Sequence, residues 1–327
     1  MILARRRLLS LLASAAAVPA LAGRAAAAEP GPRIREAIAR FAALPATASC
    51  LVIVDHPTAP WRAEHDPRAR LFVGSAVKSF ILAQYLRETE AGRLSPGQPM
   101  TIDDRVRAPS SPVFLHLTGA IPARYVLEAM IAHSDNTATD AVLAAVGPAR
   151  VRALVTEAGL RDTLLPDSTR RLFSYLAGAP AGADIGWEGM RQMMDGRLPG
   201  PPRAPVNDAQ TMVSTAADMV RWYQRSLRGD FFSKSATLVE YKRIQAMADA
   251  IPQIVPPDTV AYAKGGSIDW EGFHCLCVPG QMIVNKAPVT FCFTINWNGP
   301  DDGVPALFQA YRVAVADVLR EAADALG

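Results

Sequence analysis

Gly74-Ser75-Ala76-Val77-Lys78-Ser79-Phe80 is the stretch around which the rest of the chain can be read. A serine and a lysine three positions apart share one face of a helix and can touch. Phe80, Ile81, Tyr85 and Leu86 follow with helical spacing, which predicts a helix to about Ala91 that is apolar on one side. A serine hydroxyl is a poor nucleophile at neutral pH, and a nearby lysine held neutral can take its proton. The start of the helix adds unpaired backbone N–H groups beside Ser75, where an oxyanion can be held. The pair therefore reads as nucleophile and base. By itself the spacing also fits an N-capping serine and a solvated lysine.

Two later groups shift that balance. Ser134-Asp135-Asn136 begins 59 positions after Ser75, and Lys264-Gly265-Gly266-Ser267 begins 130 positions after Ser134. Taken singly, the first is a good helix N-cap and the second a strand-ending turn. In this order and spacing they resemble the Ser-x-x-Lys, Ser-Asp-Asn and Lys-Thr-Gly set of class A β-lactamases and penicillin-binding proteins. The resemblance runs from about Ile34 to Leu326. It implies an α/β (α+β) fold, in which an antiparallel sheet is flanked by N- and C-terminal helices and joined to an all-helical lobe, with the site in the cleft between.

The resemblance also implies roles. Ser75 is the nucleophile, Lys78 its proton acceptor, and Ser134 passes a proton to the leaving nitrogen. Asn136 holds the substrate amide and Lys78, and Asp135 bonds backbone groups. Lys264 attracts a substrate carboxylate, and the Ser267 N–H joins that of Ser75 as oxyanion donor. Gly265 and Gly266 let a ligand backbone approach closely. Lys78 needs a lowered pKa to act as a base, which burial and the charge of Lys264 would supply.

Two departures stand out. Gly265 replaces the family's usual Ser or Thr, so one carboxylate-binding hydroxyl is missing; Ser267 is its nearest substitute. The glutamate that activates the deacylating water in class A enzymes falls at about Thr169, and its companion asparagine at Phe173. No glutamate occurs between Gly159 and Gly186, and Asp167 is the nearest carboxylate. A general base contributes about 10²- to 10⁴-fold in rate, so formation of an acyl-enzyme is better supported than its rapid hydrolysis. The expectation is a serine hydrolase that acts on β-lactams through an acyl-enzyme. The alternatives are a carboxypeptidase acting on D-alanyl-D-alanine peptides of the cell wall, or a penicillin-binding sensor that stays acylated.

Residues 1–28 combine Arg5-Arg6-Arg7, an apolar run to Leu21 and a small-residue zone ending in Ala28, the pattern of an export signal by the Sec or twin-arginine route. The expected location is periplasmic or secreted, with no stable membrane insertion after cleavage. Four arginines and no acidic residue lie in that segment. The remainder carries 30 basic against 31 acidic residues, a formal charge of −1 in place of +3. No basic tract of five or more remains, which argues against nucleic-acid binding. The expected partner is a small β-lactam or D-alanyl peptide, the expected state a monomer, and no cofactor is implied.

Cys50, Cys275, Cys277 and Cys292 lie in strand-like runs and read as small buried hydrophobes, with a cross-strand disulfide permitted by export. His274 beside Cys275 and Cys277 brings a metal to mind, but adjacent ligands on one strand cannot wrap a tetrahedral ion. The histidines show no metal-ligand spacing, and no metal is expected.

Residues 29–74 and 212–327 are expected to form an α/β lobe and residues 75–211 a helical one. Strands are predicted at Ser49–Val54, Thr259–Lys264, Phe273–Val278, Gln281–Val284 and Val289–Trp297, with turns at Pro279-Gly280 and Asn285-Lys286. Residues 162–182 read as irregular.

Overall fold

Six strands form the main sheet, all antiparallel, in the order Trp61–His65, Thr47–Val54, Ala287–Asn298, Phe273–Val284, and then two collinear edge strands, Val260–Ala263 and Gly266–Trp270. The computed structural model describes residues 29–327, so the export-signal reading of residues 1–28 lies outside the described residues. Period-two alternation divides the sheet into two faces. Val52, Phe291, Phe293 and Ile295 pack with the terminal helices Pro32–Ala42 and Val304–Asp324. Leu51, Ile268, Cys275 and Cys292 join the larger core beneath the helical part. The mixed α/β expectation is met.

The helix Lys78–Glu90 is the axis of that larger core. The sequence suggests one apolar side, yet ten of its thirteen residues are buried, because helices and the sheet surround it. A single 3-10 turn, Gly74–Val77, precedes it. The Ser-Asp-Asn segment joins Ala123–Ala132 to Asn136–Val146.

Three expectations need correction. Pro279-Gly280 is no turn: Phe273–Val284 runs on as one strand of twelve residues. Gly280 is paired on both sides, with Ala263 and Phe291, and a β-carbon there would lie 2.7 Å from the Tyr262 carbonyl oxygen. The neighbouring strands hold the dipeptide extended against its local preference. Residues 162–182 are only partly irregular, since Ser168 caps a helix, Thr169–Leu176, by accepting the Arg171 N–H at 3.0 Å. Gly266–Trp270 is a strand that alternation alone did not reveal. The turn at Asn285-Lys286 is present, with both residues at positive φ.

All four cysteines are buried free thiols. Cys50 packs on the opposite face of the sheet from Cys275, Cys277 and Cys292. His274 turns away from its cysteine neighbours: its Nδ1 faces Asp269 Oδ1 at 2.8 Å and its Nε2 the Gly299 carbonyl at 2.9 Å.

Candidate active site

The edge of the sheet breaks at Lys264-Gly265, between its two collinear strands, and the 3-10 turn carrying Ser75 lies against this break. Two glycines permit the contact. A β-carbon on Gly266 would lie 2.0 Å from the Val73 carbonyl oxygen and 2.9 Å from the Ser75 nitrogen. One on Gly74, which has φ +53°, would lie 2.8 Å from the Ser267 nitrogen. Gly266 was expected to make room for a ligand; here it makes room for the backbone of Val73, Ser75 and Ala76. The consequence is that the N–H groups of Ser75 and Ser267 belong to touching segments, as an oxyanion site requires.

Lys78 is fully buried. Its Nζ donates to Asn136 Oδ1 at 2.8 Å, to Ser134 Oγ at 3.2 Å and to the Ser134 carbonyl. Burial, and then the charge of Lys264, hold its pKa well below the ordinary lysine value, against the opposing pull of Asp135, Asp140 and Asp249. A neutral Nζ retains two N–H donors and one lone pair, enough to keep two of these bonds and accept a proton. The Lys78 amine is thus bonded to Ser134 and Asn136 and not to Ser75, which lies one turn earlier with a half-buried side chain. Unliganded sites often leave such a nucleophile bond unmade until substrate arrives.

Ser134 occupies a strained position, with φ +57°, in the left-handed region that non-glycine residues seldom enter. Asp135 fixes it there from behind. Its Oδ1 caps the next helix by accepting Ala138 N–H at 2.7 Å, and its Oδ2 accepts the N–H groups of Val113 and Phe114, both at 2.9 Å. Asn136 Nδ2 donates to the Pro109 carbonyl at 2.9 Å, which orients Oδ1 toward Lys78. Lys264 is also fully buried, and its Nζ donates to the Gly265 carbonyl at 2.7 Å. Burial lowers its pKa to about 8, so it keeps its charge at neutral pH.

The loop side differs. Asp167 lies in an ion pair with Arg152 at 2.6 Å and accepts from Gln210 Nε2 at 2.8 Å. Arg152 is the main cause of its lowered pKa. Thr169 is buried at the start of its helix, where its N–H donates to Asp140 Oδ1 at 2.7 Å, and Arg170 N–H donates to Asp140 Oδ2 at 3.0 Å. Asp140 anchors the loop helix to the helix that begins at Asn136, and burial raises its pKa to about 6. Sequence reading passed over Asp140, although its spacing four after Asn136 puts both on one helix face. Phe173 leans on Trp270, ring centroids 6.3 Å apart, so an apolar bridge joins the loop to the strand that bears Ser267.

The family model of the beta-lactamase enzyme family matches residues 33–276. No curated protein matches the sequence. The fold is similar to that of a solved beta-lactamase from Sphaerobacter thermophilus (20% identity, 90% of this chain and 97% of the other, TM-score 0.67). It is also similar to an ancestral class A beta-lactamase (18%, 89% and 99%, 0.67). A third similar structure is a variant of PBP-A solved as an acyl-enzyme complex with penicillin-G (15%, 88% and 94%, 0.65).

Proposed function

The chain belongs to the beta-lactamase enzyme family, and we propose that it is a serine hydrolase that opens β-lactam rings through an ester on Ser75. One observation carries the reading: Lys78 is buried with a lowered pKa and bonded to both Ser134 and Asn136. In the proposed sequence Ser75 Oγ attacks the lactam carbonyl carbon as its proton passes to Lys78 Nζ. The carbonyl oxygen takes up negative charge beside the N–H groups of Ser75 and Ser267. The C–N bond then breaks, Ser134 gives its proton to the nitrogen, and Lys78 returns one to Ser134. Lys264 draws the substrate carboxylate to the site. Water finally hydrolyses the ester.

The pairing of Asp167 with Arg152 supports a second reading, in which that last step is slow and the protein chiefly captures β-lactams. Its export would put it where such compounds are met. Fluorescent penicillin tests the shared first step. The native protein is expected to be labelled at Ser75 and Ser75→Ala not at all; equal labelling of the two would remove the mechanism.

A further inference from the structure

We infer that His274, held as an imidazolium, is a positioning residue: by gripping Asp269 across the hairpin 266–284 it fixes the register that aims the Ser267 N–H at the reacting carbonyl. The inference rests on the acyl-transfer reading above, in which that N–H is one of two oxyanion donors.

The charge on His274 follows from hydrogen-bond accounting. Its side chain is fully buried, with Asp269 Oδ1 at 2.8 Å from Nδ1 and the Gly299 carbonyl oxygen at 2.9 Å from Nε2. A carboxylate and a carbonyl only accept. A neutral imidazole has one N–H and one lone pair, so one of its nitrogens would face an oxygen lone pair, whereas an imidazolium donates to both. Trp297 stacks on the ring, centroids 5.0 Å apart, and an indole face favours a cation. Asp301 Oδ1 lies 3.8 Å from Nε2. Burial pulls the ring's pKa down, but the bonds to Asp269 and Gly299 outweigh it and the net direction is upward.

The turn explains why a latch is needed. Gly266–Trp270 is an edge strand, joined to Phe273–Val284 by the two-residue loop Glu271-Gly272, whose residues have φ +49° and +75°. Such a loop favours Asn, Asp or Gly at its first position, and Glu271 lacks the short polar side chain that eases the left-handed region. The turn therefore holds the register weakly. Trp270 and Phe273 flank the loop as a hydrogen-bonded pair, and bonding alternates from there. Asp269 thus faces His274, and Ser267 faces Leu276, without backbone bonds between them. The Ser267 N–H points off the sheet edge, where the turn carrying Ser75 lies. A slip of one residue would direct that N–H into the sheet and remove the donor. Pairs without backbone bonds bring side chains closest, and the one beside the turn is an acid and a cation. Gly299 pins the same end from the neighbouring strand, since its N–H donates to the Gly272 carbonyl at 2.9 Å while its own carbonyl accepts from His274.

The test reads the oxyanion site itself. The stretching frequency of the ester carbonyl in a penicilloyl adduct on Ser75 rises as its hydrogen-bond donors withdraw. Native protein, Asp269→Ala and His274→Gln are acylated with isotope-labelled benzylpenicillin and compared by infrared difference spectroscopy. Leu319→Ala, in the buried face of the C-terminal helix, controls for lost stability alone. Both latch variants are expected to move the band to higher frequency and to slow acylation about 10-fold, less than the roughly 10²- to 10³-fold worth of a whole oxyanion donor. Asp269→Glu should keep the native band. Asp269 is exposed, so its variants read the latch even where His274→Gln fails to fold. An unmoved band in Asp269→Ala, or an equal shift in Leu319→Ala, overturns the inference. If the native protein forms no adduct, the proposed function falls, and the latch is read from hydrogen exchange of the Ile268 amide. That exchange should quicken about 10-fold in Asp269→Ala, and unchanged exchange overturns the latch as well.

Discussion

The segment around Ser75 and Lys78 and the loop around Asp167, called below the nucleophile wall after the proposed role of Ser75 and the loop wall, treat their ionisable groups in opposite ways. On the nucleophile wall Lys78 is buried, and among the described residues no carboxylate pairs with it; desolvation drives it toward the neutral amine, the form that can accept a proton. On the loop wall Asp167 is paired with Arg152 and bonded to Gln210; pairing drives it toward the carboxylate and lowers its basicity. A general base works best with a pKa near the working pH. Burial without a partner moves a lysine toward that value, whereas pairing moves an aspartate away from it. The same electrostatics thus equips one wall for proton transfer and removes it from the other. Phe173 and Trp270 extend the contrast, since they add aromatic surface to the loop side.

The largest effect expected from breaking this contrast is on Lys78. Lys78→Met should lower the rate of acylation by about 10²- to 10⁴-fold, the usual worth of a general base, in a single-turnover assay with fluorescent penicillin. Since the change also leaves Asn136 Oδ1 and the Ser134 carbonyl without the Lys78 donor, the melting temperature should fall. In the native protein, acylation should climb with pH through the lowered Lys78 pKa, then fall above about 8 as Lys264 loses its proton. The falling limb should appear with penicillin and vanish with its methyl ester. A profile that is flat, or alike for both, would detach the buried lysines from the chemistry.

Next in size is the transplant of a base onto the loop wall. Thr169→Glu should speed release of the acyl group by about tenfold or more. It should also cost stability, about 1–3 kcal/mol, for burying a carboxyl at a site that is 1% exposed. No gain in turnover by a folded variant would mean that the Phe173 and Trp270 bridge keeps water out whatever base is offered.

The smallest effect belongs to Asp167. Asp167→Ala should leave turnover nearly unchanged and cost about 1 kcal/mol in urea unfolding, since this ion pair is partly exposed to solvent. Its folded pKa is depressed, so the stability it adds is present above the unfolded carboxylate pKa of about 4. That stability is lost as the pH falls through the depressed value, and the variant and native proteins should converge in acid. Loss of turnover in this variant would make Asp167 the base and reverse the comparison of the walls.

The nucleophile wall was legible in the sequence because its chemistry is local. Ser75 and Lys78 are one turn apart, Ser134 and Asn136 are two apart, and each motif begins or ends an element whose period is plain. What escaped was set by tertiary pairing. Pro279-Gly280 has the composition of a turn, yet strands on both sides hold it extended. The loop helix Thr169–Leu176 starts where Asp140, from another helix, accepts the Thr169 and Arg170 N–H groups. The role of Gly266 was read toward a ligand, because the sequence does not tell which backbone will come within 3 Å of it.

The proposed ester on Ser75, and the slow release that the pairing of Asp167 with Arg152 favours, are tested most directly by a penicillin time course followed by intact-mass spectrometry. The account predicts that the mass rises by one penicillin within the first turnover, that the adduct maps to Ser75, and that it persists as the dominant species while excess drug remains. Free enzyme dominating throughout, with rapid loss of penicillin, would contradict it, because the loop wall would then hold an effective base despite the pairing of Asp167.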